Sequence, residues 1–348
     1  MNSSQRTGAL LAALACVLVG ASFTAGGALV DYPHAGGQTL RYGAACLLLL
    51  GPARRGAGTR LRALTARQWG LVAGTAAVGM VGFNLSVLAA ERTAEPAVPG
   101  VLVGCAPIVV AVLVPLASHR RPSAAVSAGA VLVAAGAFAV QGWGGTDRAG
   151  LCWSVLALVG EVGFALLAAP LVRPLGPPLL SACVSGFAAA EATVLALASD
   201  GFRTPGGAET LALGWQAVVA TVVGFVCWYG GVQRLGAERA ALFSGLIPVS
   251  AALTAPLVAV GTFGAGRLGG SGLVAAGVAL GSGALRAPRT PGTVRAAPPA
   301  AAEAAPVGTP AAPGVRQRNS SLPSSPAPDG ILISDGSWRD TARGHGCG

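Results

Sequence analysis

Ala106-Pro107-Ile108, running on to Pro115-Leu116, is echoed by Ile247-Pro248-Val249 running on to Pro256-Leu257, with the same eight-residue step between the prolines. The two stretches lie about 142 residues apart, and other marks recur at that offset. Gly82-Phe83 returns as Gly224-Phe225, and Gly8 returns as Gly150. Proline inside an apolar helix removes a hydrogen bond and bends it. Two prolines at matched spacing therefore carry more weight than any shared small residue, and the chain reads as two copies of one unit. Pro107, Pro115, Pro248 and Pro256 are the expected helix bends.

The setting of these prolines is apolar throughout. Of 348 residues 53% are hydrophobic and 10% charged, far below the roughly 25% charged of a soluble domain. The 52 glycines would weaken helices in water, but in lipid small residues let helices approach closely. A bilayer core needs roughly 17–25 apolar residues per helix. That length predicts spans at 8–30, 35–51, 69–90, 97–117 and 123–141, then at 150–171, 177–198, 211–231, 240–260 and 269–285. Five spans per copy is an odd number, so the second copy enters the membrane in the opposite sense. The expected fold is an all-α integral membrane protein of about ten helices in two inverted five-helix repeats, 1–141 and 150–285. After Leu285 the chain becomes rich in Ala, Pro, Ser, Gly and Arg, which predicts a disordered cytoplasmic tail over 286–348.

Net charge is +10, and all 23 basic residues are arginine. Without lysine there is neither a Walker A phosphate loop nor an amine for a Schiff base. The arginines fall between apolar runs rather than on one face, which reads as orientation in a membrane and not as a nucleic-acid surface. With the N-terminus inside, short inner segments carry Arg6, Arg54, Arg55, Arg60, Arg62, Arg67, Arg120, Arg121, Arg173, Arg234 and Arg239. Outer loops carry only Arg92, Arg148, Arg203 and Arg267. The positive-inside rule then predicts both termini in the cytoplasm. Arg6 ahead of an apolar run resembles a signal peptide, but a run to about Val30 exceeds a signal h-region. Six of the seven cysteines lie in apolar runs and none forms a CxxC, which predicts neither a disulfide framework nor a metal site. No cofactor is expected.

The stretch Gly224-Phe225-Val226-Cys227-Trp228-Tyr229-Gly230-Gly231-Val232-Gln233-Arg234-Leu235-Gly236-Ala237 resembles the eighth helix of EamA-type transporters of the drug/metabolite transporter superfamily. So does its continuation through Arg239-Ala240-Ala241-Leu242 and Leu246-Ile247-Pro248-Val249. Pro33 and Arg41 resemble the family's second helix, and Phe83-Asn84 with Pro107 its third and fourth. The resemblance covers roughly residues 8–285, more strongly in the second half. It implies a ten-helix, exporter-like carrier of amino acids, metabolites or drugs in the cytoplasmic membrane. Many members place a glutamate where the fourth and ninth helices leave the membrane. Here those places hold about His119 and Thr262, so no role for that carboxylate carries over.

Ionisable groups inside a span are costly and mark a pathway or a pair. Arg41, Glu161 and Glu191 qualify. Glu161 shares a helical face with Ser154, Ala157, Ala165 and Ala168, small residues that point toward other helices, and is the first candidate for contact with substrate or proton. The alternative is a buried carboxyl held by a hydroxyl or by Arg41. Arg41 lies on a face with Gly37, Gln38, Ala44 and Ala45; it is suited to an anionic group or to pairing with Glu161, or else snorkels to the interface. Glu191 has bulkier neighbours, Phe187 and Leu195. Asn84, Thr221 and Trp228 complete the candidate pathway. Interhelical glue is the rival role for Asn84, and an interfacial aromatic belt the rival for Trp228 and Tyr229.

Three classes of function compete. A secondary carrier explains inverted halves, few interior charges and the lack of a nucleotide site. A passive channel or structural membrane protein is the alternative. A membrane enzyme is weakest, since His34, His119 and His345 form no HExxH-like set. Expected partners are a small-molecule substrate, protons as a candidate coupling ion, and the lipid bilayer, with no nucleic acid.

Overall fold

Side chains fix several helix starts. Asn2 Oδ1 accepts from the Gln5 N–H at 2.8 Å while Gln5 Oε1 accepts from the Asn2 N–H at 3.2 Å, so the first helix, α1, begins at Ser3 and runs Ser3–Ser22. This is earlier than the apolar run alone predicts, because reciprocal capping supplies partners for the end N–H groups. One later helix opens alike, with Gln68 Oε1 accepting from the Thr65 N–H at 2.9 Å and Thr65 Oγ1 from the Gln68 N–H at 3.3 Å. At another, Glu209 Oε2 accepts from the Gly206 N–H at 2.6 Å, without a return bond because glycine has no side chain. Asp147 Oδ1 accepts from the Gly150 N–H at 2.7 Å and caps another.

The computed structural model describes residues 2–22, 28–54, 56–95, 97–142, 144–199, 201–254 and 265–284. Pro256, Thr262 and the segment predicted as a tail lie outside the described residues. After α1 come α2 (His34–Ala53), the short helix Ala57–Arg62, α3 (Ala66–Ala90), α4 (Ala97–Ala117), α5 (Ala124–Gln141), α6 (Arg148–Leu175), α7 (Pro177–Ala198), α8 (Gly207–Leu235), α9 (237–254) and α10 (Ala265–Ser282). No strand occurs among the described residues. Seven of these helices, α1 and α3 to α8, are long and apolar enough to cross a membrane. Leu10, Leu47, Val194, Leu197 and Leu211 face outward, each more than two-thirds exposed, as lipid-facing side chains do.

The helix pairing has a regularity. The most extensive contacts join α5 to α10 and α2 to α7, followed by α1 to α8 and α9, and α6 to α3 and α4; α2 also meets α8, and α7 meets α3. Exchanging α1–α5 with α6–α10 leaves this set unchanged. In four of these pairs one residue number rises as its partner's falls, so the helices run antiparallel. Gly129 meets Gly277 and Gly136 meets Gly270. Gly8 meets Leu235, Ala12 meets Gly231 and Val19 meets Gly224. Phe164 meets Gly79 and Phe83 meets Gly160. Cys46 meets Gly186, and Thr39 meets Thr193.

Loop contacts respect the alternation read from arginine placement. Arg60 Nη1 donates to the Leu175 carbonyl at 3.1 Å, and Arg120 pairs with Glu238 at 2.9 Å; all four lie on the side expected to be inner. Ala94 bridges Thr146, and the Tyr32 hydroxyl donates to the Arg203 carbonyl, on the side expected to be outer. The expected bend at Pro107 coincides with a break in α4 between Gly104 and Ala106. Pro248 follows a tight 3-10 turn at Leu242–Gly245, and Pro115 lies in the last turn of α4.

Candidate functional site

Alanine, glycine and serine on the inner faces leave room at the centre of the bundle. A cavity of about 910 Å3, counting the solvent at its mouth, is lined by Ala15, Cys16, Val19 and Ser22 of α1, Arg41 and Tyr42 of α2, and Gly79, Met80, Phe83 and Asn84 of α3. The other half supplies Glu161 and Phe164 of α6, Gln216, Ala220, Gly224, Phe225 and Trp228 of α8, and Ser244 and Ile247 of α9. Among the described residues, helices α4, α5, α7 and α10 contribute no lining residue.

Backbone irregularity shapes its walls. Both α3 and α8 widen in the middle into π-helical turns, Ala77–Gly82 and Gln216–Val223. Wide turns of this kind cluster at functional sites. The repeated Gly-Phe pair now has a physical reason. A Cβ on Gly82 would stand 2.7 Å from the Ala77 carbonyl oxygen, and one on Gly224 would stand 3.4 Å from that of Val219. Glycine at these positions lets the carbonyl five residues back lie close, and the following Phe83 and Phe225 both enter the cavity wall.

The charged groups come from opposite halves. Glu161 sits midway along α6, on the face of buried Ser154, Ala157, Ala165 and Ala168 that its spacing predicted. Arg41 comes from α2. Its Nε donates to Thr221 Oγ1 at 2.9 Å, and its guanidinium carbon lies 5.1 Å from the Tyr42 ring centroid, a cation–π contact. Arg41 is thus held by an interior hydroxyl rather than reaching for the interface. Among the described residues the ion pairs are Arg120–Glu238 and Arg203–Glu209, so Arg41 and Glu161 face one cavity without pairing. A carboxyl so placed is open to a proton or to a cationic group of a ligand.

Aromatic rings close one wall. Phe164 stacks on Tyr229 with centroids 5.7 Å apart and lies 5.3 Å from Phe225. Tyr229 is fully buried and Trp228 nearly so. The belt reading of this pair is therefore overturned: both rings turn into the bundle because α8 packs along α1 and α7. Trp228 Nε1 and Tyr229 Oη are buried donors without a hydrogen-bond partner among the described residues.

Of the residues singled out from sequence, Arg41, Glu161, Asn84 and Trp228 line the cavity. Thr221 stands just behind it, bonded to Arg41. Glu191 is elsewhere, on α7, with Oε2 buried and without a hydrogen-bond partner among the described residues. Tyr42, Phe83, Phe164, Phe225 and Gln216 escaped the sequence reading of the pathway. For Tyr42 a signal existed: a lone tyrosine beside an intramembrane arginine.

Fold and cavity define a polytopic helical membrane protein with a central chamber. Residues 6–141 match the model of the EamA-like transporter family, which is consistent with a member of the drug/metabolite transporter superfamily, and the seven long apolar helices are those of a multi-pass membrane protein. The match ends at Gln141, short of the stretch 224–237 in which the resemblance is densest. A solved structure described only as a crystal structure of a protein is similar in fold, with a TM-score of 0.68 and 18% identity, covering 79% of this chain and 96% of that one. No curated protein matches the chain.

Proposed function

We propose that the protein is a secondary active carrier of the cytoplasmic membrane that exports a small metabolite, amino acid or drug by alternating access. Residues 1–141 and 150–285 are the two inverted repeats, each of five spans, with both termini cytoplasmic. Supporting this reading are the exchange-invariant helix contacts, the four antiparallel pairings and the loop contacts that join only loops of one expected side. Two such repeats, rocking about a site near the midplane, expose it in turn to each side.

The observation that carries the proposal is the placement of Arg41 and Glu161, one from each repeat, on a shared cavity and unpaired. A ligand that engages both bridges the halves, and its binding depends on their relative position. Glu161 is the site of proton coupling. The experiment is transport into proteoliposomes holding the purified protein, with labelled amino acids, nucleosides and cationic drugs as probes. A carrier gives saturable uptake and counterflow. Flux linear in concentration, with no counterflow, would identify a passive channel instead.

A further inference from the structure

The two wide turns in α3 and α8 belong to different halves, yet one pair of adjacent residues touches the groups that hold both. In α3, Asn84 Nδ2 donates to the Met80 carbonyl at 2.7 Å, within the turn 77–82. In α8, Thr221 Oγ1 donates to the Gln216 carbonyl at 3.0 Å, within the turn 216–223. Each side chain supplies a hydrogen bond to a carbonyl of the widened segment. Each also reaches α2. The second hydrogen on Asn84 Nδ2 goes to Tyr42 Oη at 3.1 Å, and Thr221 Oγ1 accepts from Arg41 Nε at 2.9 Å. Arg41 and Tyr42 are themselves joined, guanidinium over ring.

From this continuous chain, Met80–Asn84–Tyr42–Arg41–Thr221–Gln216, we infer that Arg41 and Tyr42 form a tie that couples the two wide turns, so that opening one opens the other. A wide turn inside a helix is an alternative to regular α-helix, and the side-chain bonds to its carbonyls bias that choice. Tyr42 and Thr221 are fully buried, so losing a partner leaves each of these hydroxyls poorly solvated and at a cost in stability. The donor capacities are also fully used: one hydroxyl donates and accepts at Thr221, and both amide hydrogens of Asn84 are spent. Arg41 and Tyr42 are positioning residues here, acting through Thr221 and Asn84. The inference needs no substrate, so it stands or falls apart from the transport reading.

The test is hydrogen exchange, read by mass spectrometry on the full-length protein in detergent, for peptides covering 77–82 and 216–223. Thr221→Val should quicken exchange in 77–82 as well as in its own segment, by roughly three- to tenfold, the range expected for one buried hydrogen bond. Asn84→Leu should quicken 216–223 reciprocally. Thr221→Ser, which keeps the hydroxyl, should behave as the parent. Thr75→Val is a control on α3: Thr75 is buried, bonds only to the Leu71 carbonyl at 2.7 Å, and its loss should leave 216–223 unchanged. Should Thr221→Val fail to fold, Tyr42→Phe removes a single oxygen and should quicken both segments. Variants whose effects stay within their own half, or a Tyr42→Phe that alters neither segment, would overturn the coupling.

Discussion

Gly136 of α5 and Gly270 of α10 face each other so closely that a Cβ on either would stand 2.7 Å from the carbonyl oxygen of the other. One heptad away Gly129 and Gly277 repeat the contact at 2.6 Å. The two helices therefore meet backbone to backbone over two glycine pairs, in the manner of small-residue membrane interfaces.

Neighbouring glycines on α10 should respond oppositely to one substitution. Gly269 has open space where a Cβ would go, whereas a Cβ on Gly270 meets Gly136 and Val140 at 2.7 Å. Gly269→Ala should stabilise by about 0.5–1 kcal/mol through helix propensity. Gly270→Ala should destabilise by about 1–3 kcal/mol through overpacking. Thermal unfolding in one detergent compares them directly, and equal shifts would contradict the close approach.

Acid should loosen the start of α6. The Gly150 N–H and the Thr93 hydroxyl donate to the Asp147 carboxylate and hold its carboxyl below the usual range. A group whose folded value is lowered stabilises above its unfolded value, roughly pH 4, and loses that contribution as pH falls through the folded value. The parent should therefore lose thermal stability below about pH 4 more steeply than Asp147→Asn, which has no charge to lose. Parallel acid-side profiles for the two would remove the cap from the account.

Glu161→Gln keeps the shape of the cavity wall but has no titratable proton. Transport driven by a pH gradient should fall to its level without the gradient, while counterflow of the same probe persists. Undiminished stimulation by the gradient in the variant would place the coupling elsewhere.

Seven of the ten expected spans were legible because lipid demands length and apolarity, and 97–117 and 177–198 agree with the helices to the residue. The expected spans 35–51, 240–260 and 269–285 fall on helices that are not among those seven. Glu161 was legible because small residues at helical spacing mark an inward face. The π-helical turns were not, since a five-residue return of the backbone leaves no periodicity of its own; only the repeated Gly-Phe pair marked them, and its meaning depends on where carbonyls point. The place of Tyr42 was not legible because the small residues around Arg41 mark an inward face without showing that the neighbouring ring lies beneath the guanidinium. For Trp228 and Tyr229 the rival belt reading failed because nearness to a helix end says nothing about which side of the helix meets lipid. Glu191 entered the pathway on charge alone, and contacts between α7 and α2 decide where it sits.

The central claim is that the two halves lie in the membrane in opposite senses around a shared cavity. Single cysteines at Gly58, beside Arg60, and at Ala149, beside Arg148, in a chain otherwise free of cysteine, test it most directly. Labelled with a membrane-impermeant thiol reagent on intact and then opened cells, Ala149→Cys should react from outside and Gly58→Cys only after opening. Reaction of both from the same side would contradict the inverted arrangement and the carrier built on it.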